Sequence, residues 1–180
     1  MSLLATAGTY NTVPTWTGSV PAAGHGHGGS RGKRPPRRLL TEPATKTVVM
    51  ELAEGTWDIE VPEPVPGWFH ETMEALERLS GLHENWDSYS ARPVKDDTLL
   101  GALDLAYQIL GDDAEAPVVV PTSDSGVQLE WHDDGTELEI RVRPNGEISA
   151  FRFDEAAGEG NTIEQITVAD LKPLIDFLNR

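Results

Sequence analysis

Apolar residues recur along this chain with two different periods, and the switches between them mark out its elements. From Thr47 onward Val48, Met50 and Leu52 alternate with other residues, AEGT at 53–56 turns, and Trp57, Ile59 and Val61 alternate again. Two period-two runs about a short turn predict a hairpin. The proline-spaced PEPVPG at 62–67 breaks it. In WFHETMEALERLSGL, Phe69, Met73 and Leu76 fall at i, i+4 and i+7 and Leu79 continues the stripe, which predicts a helix over 67–80 with Gly81 as its stop. VKDDTLLGALDLAYQILG repeats the logic: Leu99, Leu103, Ala106 and Leu110 share a face, Asp96 or Asp97 is placed to cap the first turn, and Gly111 ends the helix.

The period then returns to two. VVV at 118–120 is a short buried-strand candidate. Val127, Leu129 and Trp131 alternate with Gln128 and Glu130, DDG at 133–135 turns, and Leu138, Ile140 and Val142 alternate with Glu137, Glu139, Arg141 and Arg143. PNG at 144–146 turns again and ISAFRF closes an antiparallel meander with one wet face. On that face the two acids and two arginines of the middle strand set register rather than chemistry. DEAAGEGNT at 154–162 reads as a loop. In TVADLKPLIDFLNR, Thr167 and Asp170 form a capping box and Val168, Leu171, Ile175 and Leu178 a stripe; Pro173 inside it means that this third helix bends there or begins there. The whole predicts an α+β fold, an antiparallel β-meander packed with two to three helices.

Residues 1–45 are different in kind. They are rich in Gly, Pro, Ser, Thr and Ala and carry no sustained periodicity, so they are expected to form a disordered tail ahead of a domain at 46–180. Of the chain's 14 basic and 30 acidic side chains the tail holds five and one (Arg31, Lys33, Arg34, Arg37 and Arg38 against Glu42), which leaves 9 against 29, a balance of −20, for the domain. An acidic surface of that strength repels nucleic acid, whose binding depends on Lys and Arg, and its charged partners should be basic. The tail's RGKRPPRR is expected as a solvated or self-neutralising segment lying on the acidic domain, the alternative being that it steers toward an anionic partner or nucleic acid. His25 and His27 are too sparse to bind metal, there is no cysteine, and no cofactor is expected. The N-terminus lacks the basic flank and apolar run of a signal peptide and nowhere do 18 apolar residues run together, so a soluble cytoplasmic protein without membrane contact is expected.

The segment ENWDSYSARP at 84–93 sits between the first two predicted helices and carries two large aromatics where a linker would be small and polar. Pro93 keeps Arg92 out of helical geometry, so the connection is irregular and longer than usual. Trp86 is expected as a buried plug beneath the second helix, with Asp87 and Ser88 bonding local amides and Tyr89 nearer the surface. The alternative is an exposed patch in which Trp86, Asp87, Tyr89 and Arg92 anchor a partner.

Leu79, Leu82, Trp86, Asp87, Tyr89, Ala91, Pro93 and Val94, followed by a helix and then by the V-x-P-T-x-x-x-G-V-Q-L-E-W of Val119 to Trp131, resemble a largely uncharacterised family of small bacterial and phage proteins, over roughly 76–153. The resemblance implies a place in mobile or two-gene modules, and hence a co-encoded partner, but no activity. Where those sequences tend to have Gly after the tyrosine this chain has Ser90, which would be modestly strained if the position is left-handed.

Catalytic signatures are weak. His132 with Asp133 and Asp134, and His83 with Glu84, lack ligand spacing, and Ser123 has no nucleophile motif around it. The expected function is therefore non-enzymatic: an interaction module for a basic protein partner, antitoxin- or immunity-like or an accessory of a mobile element. One alternative is an enzyme or small-ligand binder with a pocket beside the 84–93 loop, which requires Asp87, Arg92, Asp124 and His132 to converge. The other is a nucleic-acid mimic.

Overall fold

Alternation does place Val48, Met50 and Leu52 on one buried face, across a tight turn from Ile59 and Val61. The structure, a computed structural model, describes residues 3–7, 44–133 and 135–178. Its elements are β1 (Leu4–Ala7), β2 (Thr45–Leu52), β3 (Gly55–Pro62), α1 (Gly67–Ser80), α2 (Asp96–Ile109), β4 (Val118–Pro121), β5 (Val127–Asp133), β6 (Thr136–Val142), β7 (Ile148–Asp154), β8 (Glu159–Ile163) and α3 (Val168–Leu178). The fold is α+β, with two antiparallel sheets ordered β1-β3-β2 and β4-β5-β6-β7-β8.

Two elements correct the expectations above. Residues 4–7 are not tail: they form β1, paired from Leu4↔Glu60 to Ala7↔Trp57, with Leu3 and Ala5 packed on the core and the Leu3 amide donating to Asp104 at 2.7 Å. Residues 159–163 are not loop: they form β8 against β7, held by ladder bonds although every side chain in the strand is exposed. Residues 8–43, with the basic cluster and both early histidines, lie outside the described residues, as do Asp134 and the last two positions.

The inner faces of both sheets and all three helices share one core. α1 packs on β2, β4 and α2, α2 on β5, β6 and α3, and α3 on β6. Trp68 of α1 donates its indole N–H to Gly111 O at 2.9 Å, locking the start of α1 to the end of α2. The capping expectation for α2 fails in detail. Its N-cap is Lys95, without a side-chain cap bond. Asp96, only 1 % exposed, instead accepts from Glu54 N–H at 3.0 Å and from the Trp57 indole at 3.3 Å, pinning the β2–β3 turn to the helix. At α3 half of the capping box forms: Asp170 accepts the Thr167 amide at 2.9 Å, while the Thr167 hydroxyl donates to the same carboxylate. Pro173 lies inside α3.

Candidate functional site

The connection between α1 and α2 folds back on itself through its own polar groups. Asp87 Oδ1 accepts the amides of Tyr89 at 2.7 Å and Ala91 at 3.0 Å. Asn85 Oδ1 accepts Ser90 N–H at 2.8 Å, and Asn85 N–H donates to Ala91 O at 2.7 Å. The Trp86 indole N–H reaches Arg92 O at 3.2 Å. These bonds hold three non-glycine residues in the left-handed region, Asn85 (φ 64), Ser88 (φ 65) and Ser90 (φ 73). Ser90 is thus the strained position that glycine would relieve. Such backbone costs of order 1 kcal/mol or more per residue and persists only where surrounding bonds over-determine it.

The loop is anchored inward by Ala91 and Val94, both buried. Trp86 is not the expected core plug: it is half-buried and outside the core cluster, and its indole N–H is spent on closing the loop at Arg92 O. Tyr89 is 89 % exposed at the tip, and Arg92 is exposed while its amide donates to Ser123 O at 3.2 Å. That bond seats the loop on the β4–β5 turn, where Ser125 is also left-handed (φ 74). A Cβ on Gly126 would come within 2.9 Å of Val142 O, so the turn has no room for a side chain there.

From this turn Asp124 reaches the outer face of the five-stranded sheet, pairing with Arg141 at 2.7 Å. Burial pushes the Asp124 carboxyl up, but the Thr122 hydroxyl and the Arg141 guanidinium outweigh it and hold the group below the usual carboxylate range. Farther along that face Glu130 stands directly opposite Glu139. Burial, and then the charges of Glu130 and Glu137, hold the Glu139 carboxyl above its usual range.

The loop that carries Asp87 and Arg92 therefore meets the turn that carries Asp124, but His132 does not join them. It sits five residues up β5 from Val127, roughly 16 Å at strand rise, where it meets Glu130 at 3.2 Å. His132 lines a cleft of about 180 Å³ with Leu110, Glu130, Trp131 and Ile175, smaller than the roughly 300 Å³ at which ligand pockets begin. Sequence reasoning named Asp124 for this site but missed Asn85 and the left-handed backbone of the turn at Ser125, although Asn in an irregular link is a signal for such backbone.

Two expected outcomes test this geometry. Asp87→Ala should leave two amides without their acceptor, costing about 1–2 kcal/mol and speeding hydrogen exchange at Tyr89 and Ala91. Asp87→Asn, which keeps an acceptor oxygen, should restore most of the protection. For Glu139 the folded pKa is raised, so its contribution to stability is fully present below the ordinary glutamate value and is lost as pH rises through the folded one. Urea melts of Glu139→Gln across that window should show the variant gaining on the parent as pH rises and then holding a constant lead; a lead independent of pH contradicts the assignment.

No family model, curated protein or solved structure matches the chain, so the resemblance over 76–153 rests on its two motifs alone. Among the described residues no helix is long and apolar enough to cross a membrane.

Proposed function

We propose that this protein is a non-enzymatic interaction module that binds a basic protein partner, in an antitoxin- or immunity-like role or as an accessory of a mobile element. The supporting observation is Tyr89, 89 % exposed on a loop whose bends are each fixed by a local hydrogen bond. An aromatic carried on a backbone already held by hydrogen bonds requires little backbone ordering on binding, and tyrosine is among the residues that dominate interface hot spots. The strain at Asn85, Ser88 and Ser90 contributes nothing to the core, which favours display as its purpose. The balance of −20 over 46–180 sets the partner's sign.

Purification of the full chain from its native host at low ionic strength should recover a basic protein in stoichiometric amount, released as salt rises. Recovery of the chain alone under those conditions overturns the reading. If DNA competes for the recovered partner, the nucleic-acid-mimic form of the same reading is favoured. The small-ligand alternative draws no comparable support, since its four residues are divided between two ends of the sheet.

A further inference from the structure

Phe151 and Phe153 stand on the wrong side of their sheet for core residues. They pair with Glu139 and Glu137 across β6, so they share the face of those glutamates and not the inner face of Leu138 and Ile140. Both are half-buried, and neither packs against the core. Their rings lean over β8 at Gly160, where a Cβ would come within 3.3 Å of Phe151.

Strand register places Val118, Glu130, Glu139 and Phe151 in one row across β4, β5, β6 and β7. Val118 is 57 % exposed, which corrects the expectation of a buried strand at 118–120. The row therefore runs apolar, acidic, acidic, apolar on a solvent face. As it stands it is unfavourable, because like charges directly opposite each other destabilise a sheet. The neighbours do little to offset this: Gln128 donates to Glu130 at 2.8 Å and His132 meets it at 3.2 Å, while Arg141, on the same face, is engaged by Asp124. A stabilising sequence would place a lysine at one of the two positions; conflicts of this kind concentrate at functional surfaces.

We propose that the outer face of the five-stranded sheet is a second docking surface, for a lysine- or arginine-bearing segment of a protein partner whose cation sits between Glu130 and Glu139 and whose apolar side chains cover Phe151 and Val118. A second copy of this chain would set the same glutamates against each other and a polynucleotide would add phosphates to them, so charge complementarity selects a basic polypeptide. The inference rests on the basic-partner reading above and adds a surface to it.

The test is titration of the full-length, isotope-labelled chain at low ionic strength with a synthetic octapeptide of alternating leucine and lysine, followed by amide chemical shifts. A leucine–glutamate octapeptide serves as control. Shifts are expected on residues 118–120, 128–132, 137–141 and 149–153, with none from the acidic peptide. Changing Glu130 and Glu139 together to glutamine should weaken lysine-peptide binding at least about tenfold, and Phe151→Ser should weaken it separately. Removal of like-charge repulsion makes the double glutamine variant at least as stable as the parent, and a thermal melt confirms that lost binding is not lost folding.

Shifts spread evenly over the domain's other acids, or unchanged affinity in the double variant, would overturn the proposal. So would concentration-dependent broadening of the same residues without peptide, which would make a second copy the occupant. Shifts confined to 85–92 would overturn it while leaving the loop reading intact. Tyr89→Ala should bind the peptide like the parent, so a failure of the loop reading is seen separately.

Discussion

Replacing Trp131 with alanine is expected to lower stability by about 3–5 kcal/mol, a large part of what a domain of this size possesses. Trp131 is buried on the inner face of β5 between Leu129 and the helices, and its indole N–H donates to Glu115 O at 3.1 Å, fastening the 112–117 connection to the sheet. Alanine removes the packed rings and also leaves that carbonyl without its donor. Trp86→Ala should cost only about 1 kcal/mol, since this indole is half-buried and its bond is solvent-accessible. Urea midpoints at unchanged m-value measure both. Equal losses at the two tryptophans would mean that Trp86 is a core residue after all.

Tyr89→Ala is expected to divide stability from function. The side chain makes too little contact for its loss to move the melting curve by more than about 0.5 kcal/mol, the scale of ordinary surface substitutions. Partner affinity should fall by about 2 kcal/mol, near thirtyfold, if Tyr89 is the anchor that enters a pocket on the other protein. Tyr89→Phe distinguishes ring from hydroxyl, retaining affinity if burial of the ring dominates. Calorimetric titration with the recovered partner gives the numbers, and a Tyr89→Ala protein that binds like the parent removes the loop from the interface.

The helices were the most legible elements because their stripes are long: Phe69, Met73, Leu76 and Leu79 sufficed to bound α1 at 67–80. The β2–β3 hairpin and the β5–β6–β7 meander were legible by strict alternation. β8 was not, because EGNTI contains a single large apolar residue and owes its form to the neighbouring strand's amides. β1 is four residues beside a Gly-rich stretch, too short for a period to show. In ISAFRF the strand was evident but its facing was not: only register reveals that Ala150 is inside and Phe151 outside. At Ser90 the resemblance raises left-handed backbone only as a condition, and the structure supplies it at φ 73. Asp96 misled because a carboxylate in a first turn serves equally as a cap or, here, as an acceptor for a distant tryptophan.

The pairing of β1 alters what the cationic stretch at 31–38 amounts to. β1 and β2 lie parallel on either side of β3, so the residues between them are tied to the same small sheet at both ends. Arg38 is six positions ahead of Ala44, a length of chain that spans at most roughly 20 Å. The sequence thus attaches the charges of Arg37 and Arg38 covalently, a few positions ahead of β2, to residues 46–180 with their balance of −20. Dilution, which separates independent molecules, does nothing to that local concentration. If the partner is basic, as proposed, it competes with cations that the chain itself carries, and its measured affinity is a net figure from which that rivalry has already been subtracted.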